Sequence, residues 1–339
     1  MEVFRDAWER RDLPSRTVLT VGNFDGIHRG QRAILERVAL RARQRGLTSA
    51  VVSFEPHPRS VLRPDEPLRR LTTEQQRERL VAGCGIDALV SVRFTRDFAS
   101  TPAESFVRAF LVSRLGVAEL VVGSRFSFGR DRRGSLDLLG RLGRELGFEA
   151  SGVDEVSFDG EAISSTRIRS AIEQGDLEVA GAMLGRPYAL AGVVTHGDAR
   201  GRELGWPTAN LALESELVPR HGVYAAGLEW EGSRGPRAGV ANVGVRPTVE
   251  GPRRRVAEIH LFDFEGDLYG CRVELLLCRR LRDEVRFPSL EALRDQIGRD
   301  AQGAREYLGS NPCWNLGAGA QTGRPDASTS SREGELDGQ

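Results

Sequence analysis

The hydrophobic pattern divides the chain into two textures. As far as about residue 186, short apolar runs rich in β-branched residues alternate with stretches whose apolar positions recur every three or four residues. The runs at 17–21, 49–54, 88–94 and 120–122 read as strands. After the first of them, Ile34, Leu35, Val38 and Ala42 share one face of a helix over 28–45, which Gly46 stops. Further helices are predicted over 103–115, 136–146, 165–174 and 177–184. Strand and helix in alternation predict a Rossmann-like α/β domain, a parallel sheet with helices on both faces.

Beyond Pro187 the pattern is that of an all-β unit. Short strands at 189–195, 223–230, 237–242, 257–262 and 271–278 are separated by Gly- and Pro-containing turns, which predicts a small closed barrel. A helix from Leu290 to about residue 308 follows Pro288. From Gly309 onward large apolar residues are almost absent, so a disordered tail is expected. The expected division is therefore 1–185, 186–308 and a tail over 309–339, and 339 residues is a comfortable length for two domains.

Charge narrows the function. The 48 basic and 48 acidic residues cancel, and each of the two expected domains is close to neutral by itself. No global field favours nucleic acid or an anionic membrane. Every one of the 48 basic residues is Arg, for the chain has no Lys. That removes the Walker A loop, which needs a Lys on the phosphates, and Schiff-base chemistry. The first residues are charged, and no apolar run approaches the roughly 20 residues that span a bilayer, so a cytoplasmic protein is expected. Cys84, Cys271, Cys278 and Cys313 form no C-x-x-C pair and read as free thiols without a zinc site.

Two stretches carry candidate chemistry. The first is Gly22-Asn23-Phe24-Asp25-Gly26-Ile27-His28-Arg29-Gly30-Gln31, between a strand and a helix. Glycines permit a tight turn and close approach of a phosphate, and a helix N-terminus offers unpaired N–H groups. His28 and Gln31, three apart, project from one face of the first turn. Without further context the same segment also reads as an ordinary strand-to-helix turn. The second stretch runs from Thr195 to Asn210. Thr208 and Asn210 flank Ala209 in an extended segment, so a hydroxyl and an amide oxygen point to one side, a pair suited to Mg²⁺ held against phosphates. Taken alone, it reads first as a turn begun by Pro207 with two solvated polar residues.

These motifs, in this order, resemble those of bacterial bifunctional riboflavin kinase/FAD synthetases. The first stretch resembles the G-x-F-D-G-x-H-x-G-H phosphate-binding motif of a nucleotidyltransferase, with Gln31 where a second His is usual. Phe54-Glu55-Pro56-His57-Pro58 resembles the family's F-x-P-H-P loop, and Ile163-Ser164-Ser165-Thr166-Arg167-Ile168-Arg169 its second phosphate clamp. Gly123-Ser124-Arg125-Phe126-Ser127-Phe128-Gly129 resembles another motif, with Arg125 in an Asp/Asn position, and Ser135 replaces a frequent Asp. In the second half, Gly192, His196, Gly197, Gly201, Pro207, Thr208, Asn210, Asn242-Val243-Gly244-Val245-Arg246-Pro247-Thr248 and the strand Glu258-Ile259-His260 match the riboflavin kinase module.

The resemblance implies that ATP phosphorylates riboflavin to FMN in the second domain, and that the first domain adenylylates FMN with a second ATP to give FAD. In the first domain it implies His28 as a catalytic residue that stabilises charge on the phosphates, ATP and phosphate contacts from Gly22, Asn23, Phe24, Asp25, Gly26, Gly30, Gln31, Ser164, Ser165, Thr166 and Arg167, and flavin contacts from Phe54, Pro56, His57, Pro58 and Arg125. In the second it implies ATP contacts from Gly192, His196, Gly197, Gly201, Pro207 and Asn242, Mg²⁺ on Thr208 and Asn210, and Glu258 as base; an exposed Glu258 paired with one of Arg253, Arg254 or Arg255 is the plainer alternative. A homo-oligomer is left open. The departures at Gln31, Arg125 and Ser135 motivate one rival, a riboflavin kinase whose first domain is a degenerate nucleotide- or flavin-binding unit. Another rival is an RNA-binding module, because the nucleotidyltransferase fold also occurs in tRNA synthetases; the neutral charge argues against it.

Overall fold

The computed structural model describes residues 1–66, 68–197, 201, 205–246 and 254–310. The expected tail beyond residue 310, Cys313, and the motif residues 202–204 and 247–248 lie outside them. The strands are β1 (Glu2–Phe4), β2 (Thr17–Val21), β3 (Thr48–Glu55), β4 (Ala88–Arg93), β5 (Val117–Gly123), β6 (Glu149–Val153), β7 (Ser157–Phe158), β8 (Glu161–Ala162), β9 (Tyr188–Thr195), β10 (Ala209–Leu213), β11 (Gly222–Trp230), β12 (Arg237–Arg246), β13 (Arg254–Leu261) and β14 (Arg272–Arg282). The helices are α1 (Arg29–Arg45), α2 (Pro58–Leu62), α3 (Glu74–Gly83), α4 (Arg96–Ala99), α5 (Ala103–Phe106), α6 (Leu136–Leu146), α7 (Ser165–Gln174), α8 (Leu177–Leu184) and α9 (Leu290–Ser310).

Six parallel strands form the first sheet, in the order β1-β4-β3-β2-β5-β6. The chain adds strands outward from β2 to β3 and β4, then returns to the other side of β2 with β5. The strand order therefore reverses between β2 and β5, and in open α/β sheets that reversal opens a crevice at the carboxyl ends of the strands. Every residue of β2 is buried, as a central strand covered on both faces must be. The second unit is a closed antiparallel barrel, β10-β13-β12-β11-β14-β9. Both sheets follow the architecture expected from the pattern.

Some elements were not legible in it. The edge strands β1 and β6 are short or half-exposed and carry little apolar signal. The expected helix over 103–115 is α5 followed by a π-helical stretch, Val107–Val112. The wider turn accompanies aromatic packing, with the Phe110 ring 5.1 Å from Trp8 and 5.8 Å from Phe106. Helix α9 runs past its expected end, so Gly309 and Ser310 belong to it rather than to a tail; the Ser310 hydroxyl donates to the Glu306 carbonyl at 2.9 Å and helps close the last turn.

The two units share a core. Helices α7 and α8, expected as the end of the first domain, bury Ile168, Ile172, Leu177, Met183 and Leu184 in one cluster with the barrel residues Leu190, Leu217, Leu275 and Leu277. Leu184 is 1% exposed within it. Leu184→Ala should cost about 2–5 kcal/mol, the usual range for a buried Leu truncation. Urea unfolding followed by fluorescence measures this, and a loss under about 1 kcal/mol would contradict a shared core.

Candidate active sites

The first candidate site lies at the sheet's reversal point. The chain leaves β2 at Gly22 and enters α1 at Arg29, and it leaves β5 at Gly123. The loop from 22 to 28 is held in a conformation that most side chains resist. Gly26 has φ +93°, and Phe24 and Ile27 have φ 49° and 42°. A Cβ on Gly26 would lie 2.7 Å from Leu71 Cδ1. What holds the loop is Asp25, only 5% exposed. Its carboxylate accepts the N–H groups of Leu71 at 2.9 Å and Thr72 at 3.3 Å, and pairs with Arg169. Asp25 thus anchors the loop from beneath. Arg169, the last residue of the second-clamp motif and one to which the resemblance gave no contact, supplies the counter-charge and also donates to the Arg69 carbonyl at 2.9 Å.

His28 is the N-cap of α1. Its Nδ1 accepts the Gln31 N–H at 3.3 Å, and the Gln31 side-chain oxygen accepts the His28 N–H at 3.3 Å. This reciprocal capping box explains Gln31, since an amide oxygen can close it. Burial above all, and then the nearby Arg186 guanidinium, push His28 down to about 4. At neutral pH the ring is uncharged, and because Nδ1 accepts, Nε2 carries the proton. Gly30 leaves room for the ring, for a Cβ there would lie 3.3 Å from His28 Cε1. The second clamp meets this loop directly. The Ser165 hydroxyl donates to the Asp25 carbonyl at 2.9 Å, and Ser164 caps α7 by accepting the Arg167 N–H at 3.3 Å. Thr166 lies in the first turn of the same helix. The Arg167 guanidinium turns to the β7–β8 hairpin, donating to the Glu161 and Ala162 carbonyls at 2.9 and 3.0 Å.

Beside Gly22 and Asn23 opens a cavity of about 960 Å³ with aromatic walls: Phe54, Phe94, Phe98, Phe106, Phe126 and Phe128. His57, Pro58 and Arg125 also line it, whereas Pro56, joined to Glu55 by a cis peptide, faces the neighbouring cavity. Phe54 on β3, the group Phe94, Phe98 and Phe106 from the end of β4 to α5, and Phe126 and Phe128 after β5 come from three separate stretches of chain, and only the fold collects them. His57 caps α2 and is pushed down to about 4, chiefly by burial, with Asp25 opposing the shift and Arg169, Arg70 and Arg77 adding to it. Arg125 is an exposed rim residue paired with Glu155 at 3.1 Å. Ser135 is the N-cap of α6, accepting the Leu138 N–H at 3.3 Å. Two of the three departures are thus helix caps and the third is a rim ion pair.

The second candidate site is on the outside of the barrel. Leu211, Ala241, Ala257 and Ile259 point into the barrel core. Alternation along strands then puts Asn210, Glu258 and Asn242 on the outer face. Register aligns them, since Glu258 is paired with Asn210 on one side and with Asn242 on the other, and Asn210 with Thr195. A polar row thus crosses β9, β10, β13 and β12. Asn242 Nδ2 donates to Glu284 at 3.0 Å. Thr208, Asn242, Glu258 and Glu284 line the polar side of a cavity of about 390 Å³, and Phe287, Leu293 and Ile297 its apolar side under α9. Arg282 and Asp300 fasten α9 to β14 through contacts of 2.6–3.0 Å.

The remaining kinase residues surround this row. Gly197 lies against Asn210, where a Cβ would come within 2.2 Å of Nδ2, and Gly201 lies 3.3 Å, measured the same way, from Thr208 Oγ1. The His260 Nδ1–H donates to the Pro207 carbonyl at 2.8 Å, and His196 stacks on Tyr269 with ring centres 3.9 Å apart. Gly192 lies further along β9, where the Ala212 carbonyl of β10 would be 2.6 Å from a Cβ; it lets the barrel close. Among the described residues no group of three or more His, Cys, Asp or Glu could hold a metal ion. Thr208 and Asn210 are neutral oxygen donors, a set that fits Mg²⁺ brought in largely by phosphates. Cys84, Cys271 and Cys278 are joined by no disulfide, and no described helix is long and apolar enough to cross a membrane.

Comparison with known proteins agrees with this two-site arrangement. Residues 10–167 match the FAD synthetase family and residues 184–308 the riboflavin kinase family. A bifunctional riboflavin kinase/FMN adenylyltransferase of Escherichia coli (strain K12) is 43% identical over 86% of this chain and 93% of its own. One from Pseudomonas fluorescens is 42% identical over 90% and 97%. A solved structure from Streptococcus pneumoniae, described as a macrolide-efflux protein, has a TM-score of 0.80 and 31% identity over 90% of this chain and 99% of that one. With both halves matched in order, and with relatives aligned over nearly their whole length, the chain belongs to the bifunctional riboflavin kinase/FMN adenylyltransferase family.

Proposed function

We propose that the protein makes FMN from riboflavin and ATP at the barrel site, and FAD from FMN and a second ATP at the sheet site. The observation that carries this is that both families match along one chain and each family's motif residues gather at a separate site. The kinase-only reading rested on Gln31, Arg125 and Ser135. Its motive weakens once Gln31 and Ser135 are helix caps and Arg125 is paired at the rim.

At the barrel, riboflavin lies under α9 against Phe287, Leu293 and Ile297, with its 5′-hydroxyl toward Glu258. The Glu258 carboxylate accepts that proton as the hydroxyl oxygen attacks the γ-phosphorus, whose bond to the β,γ-bridging oxygen breaks so that ADP leaves. Thr208 and Asn210 would hold Mg²⁺, which would neutralise charge on the ATP phosphates. Gly197 and Gly201 leave space for the nucleotide beside Asn210 and Thr208, and Asn242 is aligned by Glu284. In the first domain the phosphate of FMN attacks the α-phosphorus of ATP, and pyrophosphate leaves. The neutral His28 donates from Nε2 to a phosphate oxygen, beside the N–H groups that open α1. Ser165 and Thr166 face the phosphates from α7, while Arg167 shapes that turn from behind. The aromatic cavity takes the isoalloxazine. Residues 1–185 and 186–308 are taken as the two functional units, with the protein in the cytoplasm and no nucleic acid as partner. Incubation with riboflavin, ATP and Mg²⁺, resolving FMN from FAD by chromatography, tests the whole reading; failure to form FMN would overturn it.

Glu258→Gln should lower FMN formation about 10²–10⁴-fold, the typical worth of a general base, while FAD formation from supplied FMN persists. Undiminished phosphorylation would remove Glu258 from the mechanism. His28→Ala should do the converse, lowering FAD formation about 10²–10³-fold, as loss of one preorganised donor does, and sparing FMN formation.

The depressed histidines also set a pH dependence. The ordinary value is 6.5, and His28 and His57 are held at about 4 in the fold. The unfolded chain therefore takes up protons first as pH falls. Their contribution to stability is complete above about pH 6.5 and declines as pH drops toward 4. NMR titration should find both rings neutral at pH 5.5, with the urea midpoint lower at pH 5 than at pH 7.5. A His28 ring that titrates near 6.5 would contradict a buried His28.

A further inference from the structure

We infer that Arg186, the residue at the junction between the two units, is a positioning residue for FMN adenylylation: it holds the phosphate loop in its working shape from the kinase side. The inference rests on the adenylyltransferase reading of that loop and deepens it.

The geometry starts with the end of α8. Gly185 caps the helix at φ +74°, and the chain turns there before entering β9 at Tyr188. That turn sends the Arg186 side chain beneath the loop between β2 and α1. Its Nη2 donates to the Gly26 carbonyl at 2.7 Å and its Nη1 to the Ile27 carbonyl at 3.2 Å. Both acceptors lie in the loop's positive-φ region. One planar guanidinium thus fixes two successive peptide units, a geometry its fork of donors suits. A trans peptide points its N–H opposite to its C=O, so fixing the Gly26 carbonyl also fixes where the Ile27 N–H points. Without the cation, two carbonyl oxygens lose their donor and become free to turn toward an approaching phosphate, which they would repel.

The surroundings keep the cation in place. Arg29, the first residue of α1, lies over Gly185, where a Cβ would be 3.2 Å from its Cγ, and donates to the Ala182 carbonyl at 3.4 Å. Helix α1 is therefore seated on the end of α8 as well. Burial first, and then Arg32, lower Arg186 to about 10, while Glu274, Cys84 and Tyr188 act in the opposite direction. It stays charged at neutral pH. Arg186 is also the second-largest influence lowering His28, after burial. Asp25 and Arg186 divide the support of the loop between them, Asp25 through the segment before α3 and Arg186 through the junction. The riboflavin kinase family match begins at residue 184, so this support comes from the other module.

The test uses the full-length protein. Arg186→Gln keeps a polar side chain with one donor group, though a shorter one, while removing the charge and the fork. FAD formation from supplied FMN should fall about 10²-fold in kcat, the scale of loss from a small misplacement of reacting groups, with a smaller change in KM for FMN. FMN formation by the same preparation should be unchanged, which reports an intact barrel. Arg186→Lys restores a cation able to serve one carbonyl at a time and should recover about tenfold, the worth of one charged hydrogen bond. The second readout is the His28 ring, titrated by NMR, which should shift up from about 4 toward its ordinary 6.5 in the Gln variant. Unchanged FAD formation in Arg186→Gln, or a His28 titration that does not move, overturns the proposal. If the Gln variant also loses FMN formation, the Lys variant decides, and FAD formation in it at the wild-type rate with an unmoved His28 is again the overturning result. A wild-type protein that makes FMN but no FAD would instead be a failure of the adenylyltransferase reading, and the titration would still decide whether Arg186 governs the loop.

Discussion

A carboxylate taken out of water must be met by donors, and Asp25 is met by two pieces of chain that are distant in sequence from its own loop and from each other. The N–H groups of Leu71 and Thr72 come from the segment before α3, the Arg169 guanidinium comes from α7, and the carboxylate itself rides on the loop between β2 and α1. Ser165 adds a bond to the Asp25 carbonyl. Leaving such a charge unpaired costs about 3–5 kcal/mol, so these pieces are held together more firmly than exposed contacts could hold them. The loop can then keep Phe24, Gly26 and Ile27 at positive φ, because its surroundings over-determine its shape. The crevice between β2 and β5, with His28 at its mouth, depends on that shape.

The same segments join the sheet to the barrel. Arg70 reaches Glu55 on β3 at 3.0 Å and Glu216 beyond β10 at 2.8 Å, and the Gln76 side chain donates to the Ala189 carbonyl at 3.2 Å. Arg79 pairs with Glu274, and Arg272 bonds Gln75 at 3.0 Å and Glu214 at 2.6 Å. Exposed ion pairs contribute about 0–1 kcal/mol each, whereas a fully buried Leu or Met contributes about 1.5–3. The cohesion of the two units therefore comes mainly from α7 and α8 in the barrel's cluster, and the guanidinium pairs set the orientation. A chain without Lys suits this arrangement, since one planar fork can address two partners, as Arg70 does.

Under the proposed function the two sites solve one problem by different means. Both must bring anionic phosphates against a protein with no net charge and no Lys. The sheet site uses a helix N-terminus, a neutral imidazole N–H and a second helix N-terminus brought in by Ser164 and Ser165. The barrel site uses a row of uncharged oxygen and nitrogen groups aligned across strands, with glycines where a side chain would collide with Asn210 or come close to Thr208. In each, a carboxylate, Asp25 within the motif or Glu284 beside the polar row, is engaged with protein groups.

The order of elements, the α/β unit followed by a barrel, and the motif residues of both sites were determined by the sequence alone, because period-2 and period-3.6 patterns and short glycine-rich motifs are local properties. The weak edge strands β1 and β6 left little local signal. Tertiary structure decided the rest, wherever a role depends on what arrives from far along the chain. It made Gln31 and Ser135 caps, set Asp25 beneath the loop, and turned Arg167 toward a hairpin. It gathered Phe54, Phe106 and Phe128 around one cavity and aligned Glu258 between Asn210 and Asn242 through strand register. It also sank α7 and α8 into the barrel's core, so that the boundary drawn at residue 185 crosses a shared cluster. Burial, register and the pairing of buried charge are long-range quantities, fixed only when the chain has closed on itself.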